Sequence, residues 1–174
     1  MKLHIGSTAR SEGWHNLDIV PGPGVDYVGD CKSLAQFSEN SIETIYASHV
    51  LEHVPYRQTE AVLKDWFRVL IPGGEVMISV PDLGVLAQLY LHPQASPQDR
   101  VSVMQMMFGG QMDDFDFHCV GFNDELLGMW LRQAGFVELA RVEKFGVFED
   151  TSTMQFHGVP ISLNVKARKP LAGR

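Results

Sequence analysis

Residues 42–83 read IETIYASHVLEHVPYRQTEAVLKDWFRVLIPGGEVMISVPDL, and the order of elements in this stretch decides the fold. Its opening, IETIYASH, is a short apolar run rich in β-branched and aromatic residues that ends on small polar ones, the mark of a buried strand. From Gln58 to Leu70 the residues Val62, Trp66, Val69 and Leu70 share one helical face, while Glu60, Lys64, Asp65 and Arg68 fall away from it. Pro72 lacks an N–H and pushes the residue before it out of the α region, so it stops this helix, and Gly73 with Gly74 turns the chain. The run EVMISVPDL then reads as a second strand. Strand, helix, turn and strand make a βαβ unit, whose two strands are parallel neighbours in one sheet with a right-handed crossover. Ligands of such sheets sit at the carboxyl ends of the strands. Those ends carry Ser48 and His49 on the first strand and Pro81 and Asp82 on the second.

A chain of 174 residues, 45% hydrophobic and 20% charged, has the size of one globular domain with a single core, so one domain over 1–174 is expected. Its net charge of −7, from 14 basic and 21 acidic residues, disfavours nucleic acid or an anionic membrane as the main partner and points to a small or cationic one. No apolar run approaches the roughly 20 residues that span a bilayer, and Met1 to Ile5 opens no signal-peptide hydrophobic segment. A cytoplasmic protein is the expectation. Cys31 and Cys119 are isolated, without C-x-x-C, which suggests neither a disulfide framework nor a zinc ribbon.

From the N-terminus, KLHI is a strand that reaches Gly6 at once, and NLDIV is the next strand. The link between them is shorter than the roughly dozen residues a parallel crossover ordinarily takes, so its helix is absent or reduced to a turn. PGPG is a turn cluster, VDYVGD a third strand, and KSLAQFS a short helix or turn over one sheet edge. Past the central unit, LGVLAQLYL is an amphipathic helix. The span 92–122 is the least regular: PQDRVSVMQMMF can form a helix, and GGQMDDFDFHCVG, acidic and aromatic between glycines, reads as a binding loop. It is the candidate lid or substrate segment. NDELLGMWLRQAG is a helix with Asn123 as N-cap and Gly135 past its C-terminal end. VELARVEK and ISLNVKARK pair as a hairpin across a long connection.

The chemistry gathers at strand ends. Gly6, directly after the first strand, lets the backbone approach a ligand closely. Asp18, closing the second, can accept two hydrogen bonds from a ribose diol. The phosphate-binding pattern G-x-G-x-x-G is missing, since the chain continues Ser7, Thr8, Ala9 with no helix N-terminus behind it. A dinucleotide fits poorly and a nucleoside without phosphates remains. Asp30, after Gly29 at the third strand's end, is placed to hydrogen-bond an adenine amino group. Singly, these residues are equally well explained as turn and cap residues; together, on one sheet edge, they favour a nucleoside site. His49 to His53 spell H-x-x-E-H, a zinc-binding helix in some metalloproteases. Here a strand ends at the first His and Pro55 follows the second, so no metal ligand is assigned and His53 reads as a helix-end residue packed on its neighbours. His49, at the ligand edge, and His118, in the FDFH segment, are the imidazoles of functional interest. His4, His15, His92 and His157 offer no functional argument.

The early glycine, NLD, VGD, YASHVLEHV, RVLIPGGEVMISVPDL and a late AGF together resemble class I S-adenosylmethionine-dependent methyltransferases of the small bacterial type-11-like group. The resemblance spans nearly the whole chain, and RVL-x-PGG and ASHVLEH are its most specific parts. It implies an α/β, Rossmann-like, mostly parallel seven-stranded sheet of order 3-2-1-4-5-7-6 with the last strand antiparallel, the family's N-terminal helices and first crossover helix being missing or reduced. It also implies S-adenosylmethionine as cofactor and S-adenosylhomocysteine as product. By position, Gly6 and Ser7 would lie under the cofactor's amino-acid part, Asp18 on the ribose hydroxyls, Asp30 and Cys31 at the adenine, and Ser48 with His49 beside the methionine portion. The family's second glycine is Thr8 here. The implied reaction is methyl transfer to an O or N nucleophile of a small or glycan-like acceptor, with His118 or His49 as catalytic base toward a hydroxyl. The site is open unless 92–122, or a partner subunit in a homo-oligomer, folds over it. The rival reading is a non-catalytic nucleoside-binding or partner-binding module that kept the fold; Thr8 favours it, while the acids and histidines favour the enzyme.

Overall fold

The computed structural model describes residues 1–173. Seven strands form one sheet: β1 (Lys2–Ile5), β2 (Trp14–Asp18), β3 (Tyr27–Val28), β4 (Ile42–Ser48), β5 (Leu70–Pro81), β6 (Val137–Val142) and β9 (Ser162–Arg168), in the order β3-β2-β1-β4-β5-β9-β6. Between β6 and β9 a small hairpin stands apart, made of β7 (Gln155–Phe156) and β8 (Val159–Pro160). The main sheet is parallel from β3 to β5, and β9 runs antiparallel to both β5 and β6. Counted along the main sheet alone, this is the expected order with its antiparallel last strand. No helix lies between β1 and β2, as the short link requires. Four helices complete the fold: α1 (Tyr56–Val69), α2 (Leu83–Leu91), α3 (Pro97–Phe108) and α4 (Asp124–Ala134). None of the described helices is long and apolar enough to cross a membrane.

The central βαβ unit differs from its sequence reading in one respect. Helix α1 ends at Val69, but Pro72-Gly73-Gly74 is a bulge inside β5 rather than a turn before it. Leu70 already pairs with Ile42 and Glu75 pairs with Thr44, so residues 71–74 stand opposite Glu43 alone. Gly73 adopts φ +80°, a region glycine enters without steric cost. Its N–H donates to the Lys169 carbonyl at 2.9 Å, and Lys169 N–H donates to the Gly74 carbonyl at 2.9 Å. Lys169 Nζ then donates to the carbonyls of Phe67 (2.9 Å) and Leu70 (2.8 Å) and to Asn40 Oδ1 (2.7 Å). Lys169, directly after β9, thus caps carbonyls that the end of α1 leaves unpaired.

Other boundaries shift for similar tertiary reasons. VDYVGD keeps only Tyr27–Val28 as strand, at the sheet edge, and NLDIV becomes Trp14–Asp18, leaving Ile19 and Val20 exposed. KSLAQFS forms turns, not a helix. Leu34 and Phe37 are buried there. Asp65 Oδ2 accepts from Leu34 N–H at 2.6 Å and Arg68 donates to the carbonyls of Leu34 and Phe37, both at 3.0 Å. Helix α4 has its N-cap at Asn123, whose side chain accepts from Leu126 N–H at 2.8 Å, and ends on left-handed Gly135.

Strand alternation divides the interior. Leu3, Ile5, Ile45, Ala47, Val76 and Ile78 meet Val62, Leu63, Trp66 and Val69 of α1 and Leu127 and Leu131 of α4. On the opposite face, His4 and Tyr46 are register partners within an aromatic cluster completed by Trp14, Phe145 and Phe148. His4 is 6% exposed, stacks on Phe148 at 4.3 Å between centroids, and its Nδ1 has no hydrogen-bond partner. Burial pushes its pKa down from 6.5 to about 4, against a smaller opposing pull from Asp150. The neutral ring is therefore the form that folds: this stability is complete above pH 6.5 and is lost as pH falls toward 4, up to about 3 kcal/mol. A His4→Phe variant should show a flatter dependence of its denaturant midpoint on pH between 6.5 and 4 than the parent protein; identical slopes would remove His4 as a source of acid sensitivity.

Candidate active site

A cleft of about 450 Å³ opens at the carboxyl ends of β1, β2, β3 and β4. Gly6, Asp18, Asp30, Cys31 and His49 all line it. Gly6 sits at φ +74°, its N–H donates to the Leu17 carbonyl at 2.8 Å, and a Cβ there would lie 2.5 Å from Val50 Cγ2. Only glycine leaves that floor open. Asp18 Oδ1 accepts from Val20 N–H at 2.8 Å, an arrangement that fixes the carboxylate on its strand end. Asp30 accepts from Lys32 N–H at 2.9 Å and pairs with Lys32 Nζ at 3.0 Å. The Cys31 carbonyl accepts from Trp66 Nε1–H at 2.8 Å, while burial and then Asp30 push its thiol up to about 12. That thiol is no nucleophile at neutral pH.

His49 follows β4 at φ +54°, and its side chain is only 17% exposed. Ser162 donates its hydroxyl hydrogen to the Thr151 carbonyl (2.8 Å), so His49 Nε2–H donates to Ser162 Oγ (2.9 Å) and His49 Nδ1 carries the lone pair. Burial first, and then the neighbouring His118, lower the His49 pKa to about 4. Glu52 follows in the 3₁₀ turn Leu51–His53 and is 1% exposed. Neither of its carboxyl oxygens has a hydrogen-bond partner, and His49 Nδ1 stands 3.5 Å from Oε1 without hydrogen-bond geometry. Burial pushes the Glu52 pKa up to about 8.

Three sequence candidates do not line the cleft. Ser7 Oγ accepts from Ala9 N–H at 3.2 Å, and Ser48 Oγ is engaged with Thr151 Oγ1 at 3.1 Å. His118 packs its ring edge-on against His53, with centroids 4.9 Å apart, and burial followed by His53 lowers its pKa. The acidic and aromatic segment does reach the cleft, through Asp113, Asp114, Phe115 and Phe117. Lys32 was not singled out from sequence, and His53 and Glu52 were weighed there only as parts of H-x-x-E-H and given no role in the site. For Glu52 a signal existed: a lone carboxyl inside the apolar run VLEHV.

Residues 8–78 match a family described as the methyltransferase domain. No curated protein matches the sequence. Among solved structures, the chain is similar to a S-adenosylmethionine-dependent methyltransferase from Archaeoglobus fulgidus, with TM-score 0.61 and 16% identity over 97% of this chain and 85% of that one. It is similar to 1,6-didemethyltoxoflavin-N1-methyltransferase from Burkholderia thailandensis, determined with 1,6-didemethyltoxoflavin and S-adenosylhomocysteine bound, at TM-score 0.58 and 16% identity over 97% and 71% of the two chains. It is also similar to a possible exported protein from Bordetella parapertussis, at TM-score 0.59 and 13% identity over 97% of this chain, which spans 61% of the length of that protein. At these identities the likeness is one of fold.

Proposed function

We propose methyl transfer as the activity, from the premise that this chain is a class I S-adenosylmethionine-dependent methyltransferase in fold and, over residues 8–78, in sequence family. One observation supports the reading most: four consecutive strands of the parallel sheet deliver Gly6, Asp18, Asp30 and His49 to a single cleft. The chemistry of these residues fits the cofactor. Gly6 is a cradle that a Cβ would fill, Asp18 offers carboxylate acceptors for a ribose diol, and Asp30 does so for an exocyclic amine. When bound, S-adenosylmethionine supplies a methyl group on a positively charged sulfur, open to in-line attack. The carboxylates of Asp18, Asp113 and Asp114 on the cleft wall favour a cationic guest over a neutral one.

Most of the rate enhancement would come from holding the acceptor's nucleophile in line with that methyl. The acceptor is an O or N nucleophile on a small or glycan-like molecule, and a hydroxyl must also lose a proton, for which His118 and His49 are the candidate groups. Phe115 and Phe117 give the segment 92–122 the apolar side chains of a cover over the cleft, with a partner subunit as the alternative cover. A cytoplasmic setting accords with the two unpaired thiols, Cys31 and Cys119.

Calorimetric titration with S-adenosylmethionine and S-adenosylhomocysteine tests the reading. Binding of both is expected; binding of neither would leave the partner-binding module as the better account. Within that titration, Asp18→Ala should weaken S-adenosylhomocysteine binding by about 10- to 100-fold, the equivalent of a lost charge-assisted hydrogen bond of roughly 1.5–3 kcal/mol. Unchanged affinity sinks the ribose assignment.

A further inference from the structure

We propose that Glu52, His53 and His118 form a binding site for a divalent transition-metal ion of the Zn²⁺ kind, set in the wall of the cleft. Each residue offers a ligand atom, and those atoms all lie within 4.8 Å of one another. The spacing that H-x-x-E-H suggested, His49 with His53, is not the one the fold assembles, because His49 Nε2–H is committed to Ser162. In its place the loop after α3 brings in His118.

Two features set this cluster apart from a chance meeting of side chains. The first is Glu52. It is 1% exposed and both of its carboxyl oxygens lack a hydrogen-bond partner among the described residues, a state that costs free energy unless a cation or donor compensates it. The second is the backbone that holds the parts together. Cys119 N–H and Val120 N–H both donate to the Glu52 carbonyl, at 2.7 and 3.3 Å, clamping the strip next to His118 onto the turn that carries Glu52 and His53.

The His53 imidazole is also oriented for ligation. His53 Nδ1 is 3.1 Å from the Phe117 carbonyl; a carbonyl only accepts, so Nδ1 carries the hydrogen and Nε2 keeps its lone pair. A ring N–H held by a carbonyl is the usual support behind a metal-bound histidine, since it fixes the tautomer and the ring plane. Two neutral nitrogens and one carboxylate suit Zn²⁺ and its first-row neighbours better than Mg²⁺ or Ca²⁺, and three protein ligands leave a position for water or an acceptor oxygen. His53 also lines the cleft. A metal ion there would acidify an acceptor hydroxyl directly, a route to its deprotonation that needs no free histidine base.

The test uses the whole protein, stripped with a chelator and titrated calorimetrically with Zn²⁺ alone, then with Co²⁺ to read the visible absorption of the bound ion. One equivalent should bind, and Glu52→Gln and His118→Ala should each weaken binding by about tenfold or more. Should Glu52→Gln fail to fold, His118→Ala still decides. No saturable binding to the parent protein, or equal binding by the folded variants, overturns the proposal. S-adenosylhomocysteine is titrated separately onto the metal-free protein: Zn²⁺ binding without it counts against the cofactor reading alone, and the reverse outcome against the metal site alone.

Discussion

Turnover by a His118→Ala variant is expected to fall by about 10² to 10⁴, the usual worth of a group that handles a proton in the transition state, whether His118 takes that proton itself or instead ligates a metal ion that acidifies the hydroxyl, while S-adenosylhomocysteine binds nearly as before. The split follows from position. His118 packs on His53 and does not line the cleft that holds Gly6, Asp18 and Asp30, so its loss leaves the nucleoside contacts in place. Its lowered pKa, caused by burial and then by His53, keeps the ring neutral to lower pH than a free imidazole. Activity carried by that neutral ring should therefore persist as pH falls below 6.5, where an exposed histidine base would already be protonated. His49→Ala should behave differently, weakening cofactor binding along with turnover, because His49 lines the cleft itself. The measurement is kcat beside calorimetric affinity, on an acceptor found by screening sugars and small hydroxylated or amine metabolites. Parent-like turnover in His118→Ala would remove the residue from the chemistry.

Trp66→Ala should destabilise the protein by about 3–5 kcal/mol, the range for deleting a large buried aromatic side chain. Trp66 has no exposed surface and is part of the main core between α1 and the sheet. It also reaches the site. Its Nε1–H holds the Cys31 carbonyl at 2.8 Å, and Asp30 is the residue before it. Trp66→Phe keeps most of the buried ring but leaves that carbonyl unpaired, so a cost of about 1–3 kcal/mol should accompany a loss of nucleoside affinity. Denaturant unfolding with calorimetry on both variants separates packing from positioning. A Trp66→Phe protein with parent-like nucleoside affinity would show that the Asp30–Cys31 segment holds its place unaided.

The order of the central elements was legible because it rests on local signals: β-branched runs for β4 and β5, a helical stripe for α1, and Asn123 and Gly135 at the two ends of α4. The seven-strand order came instead from the family resemblance, since no local pattern states which strands are neighbours. What stayed hidden depends on partners distant in sequence. Pro72-Gly73-Gly74 looks like a turn until Lys169 arrives to bond the bulge and cap α1. His4 gave no argument because its aromatic surroundings come from β2, β4 and residues beyond β6. Glu52 leaves a trace in sequence, a carboxyl inside the apolar run VLEHV, but its burial shows only once the backbone of Cys119 and Val120 closes over its turn. Asp18 and Asp30 could be named because strands and the turns after them can be read from sequence, and both line the cleft. The bond of the His49 ring to Ser162, 113 residues away, could not be read there.

The place of β9 between β5 and β6 has a consequence for how the protein is made. Of the sheet's seven strands, β9 comes last in chain order, yet it is not added at the rim; it is inserted into a slot. Until it emerges, β5 and β6 each present an unpaired edge, and unpaired edges are templates for pairing with another chain. From the completion of β6 at Val142 until β9 follows at Ser162, the nascent protein carries two sticky borders, and β9 both completes the sheet and covers them. A message truncated before Ser162 would yield a chain that holds the candidate site residues of β1 to β4 yet has no means of closing its own sheet.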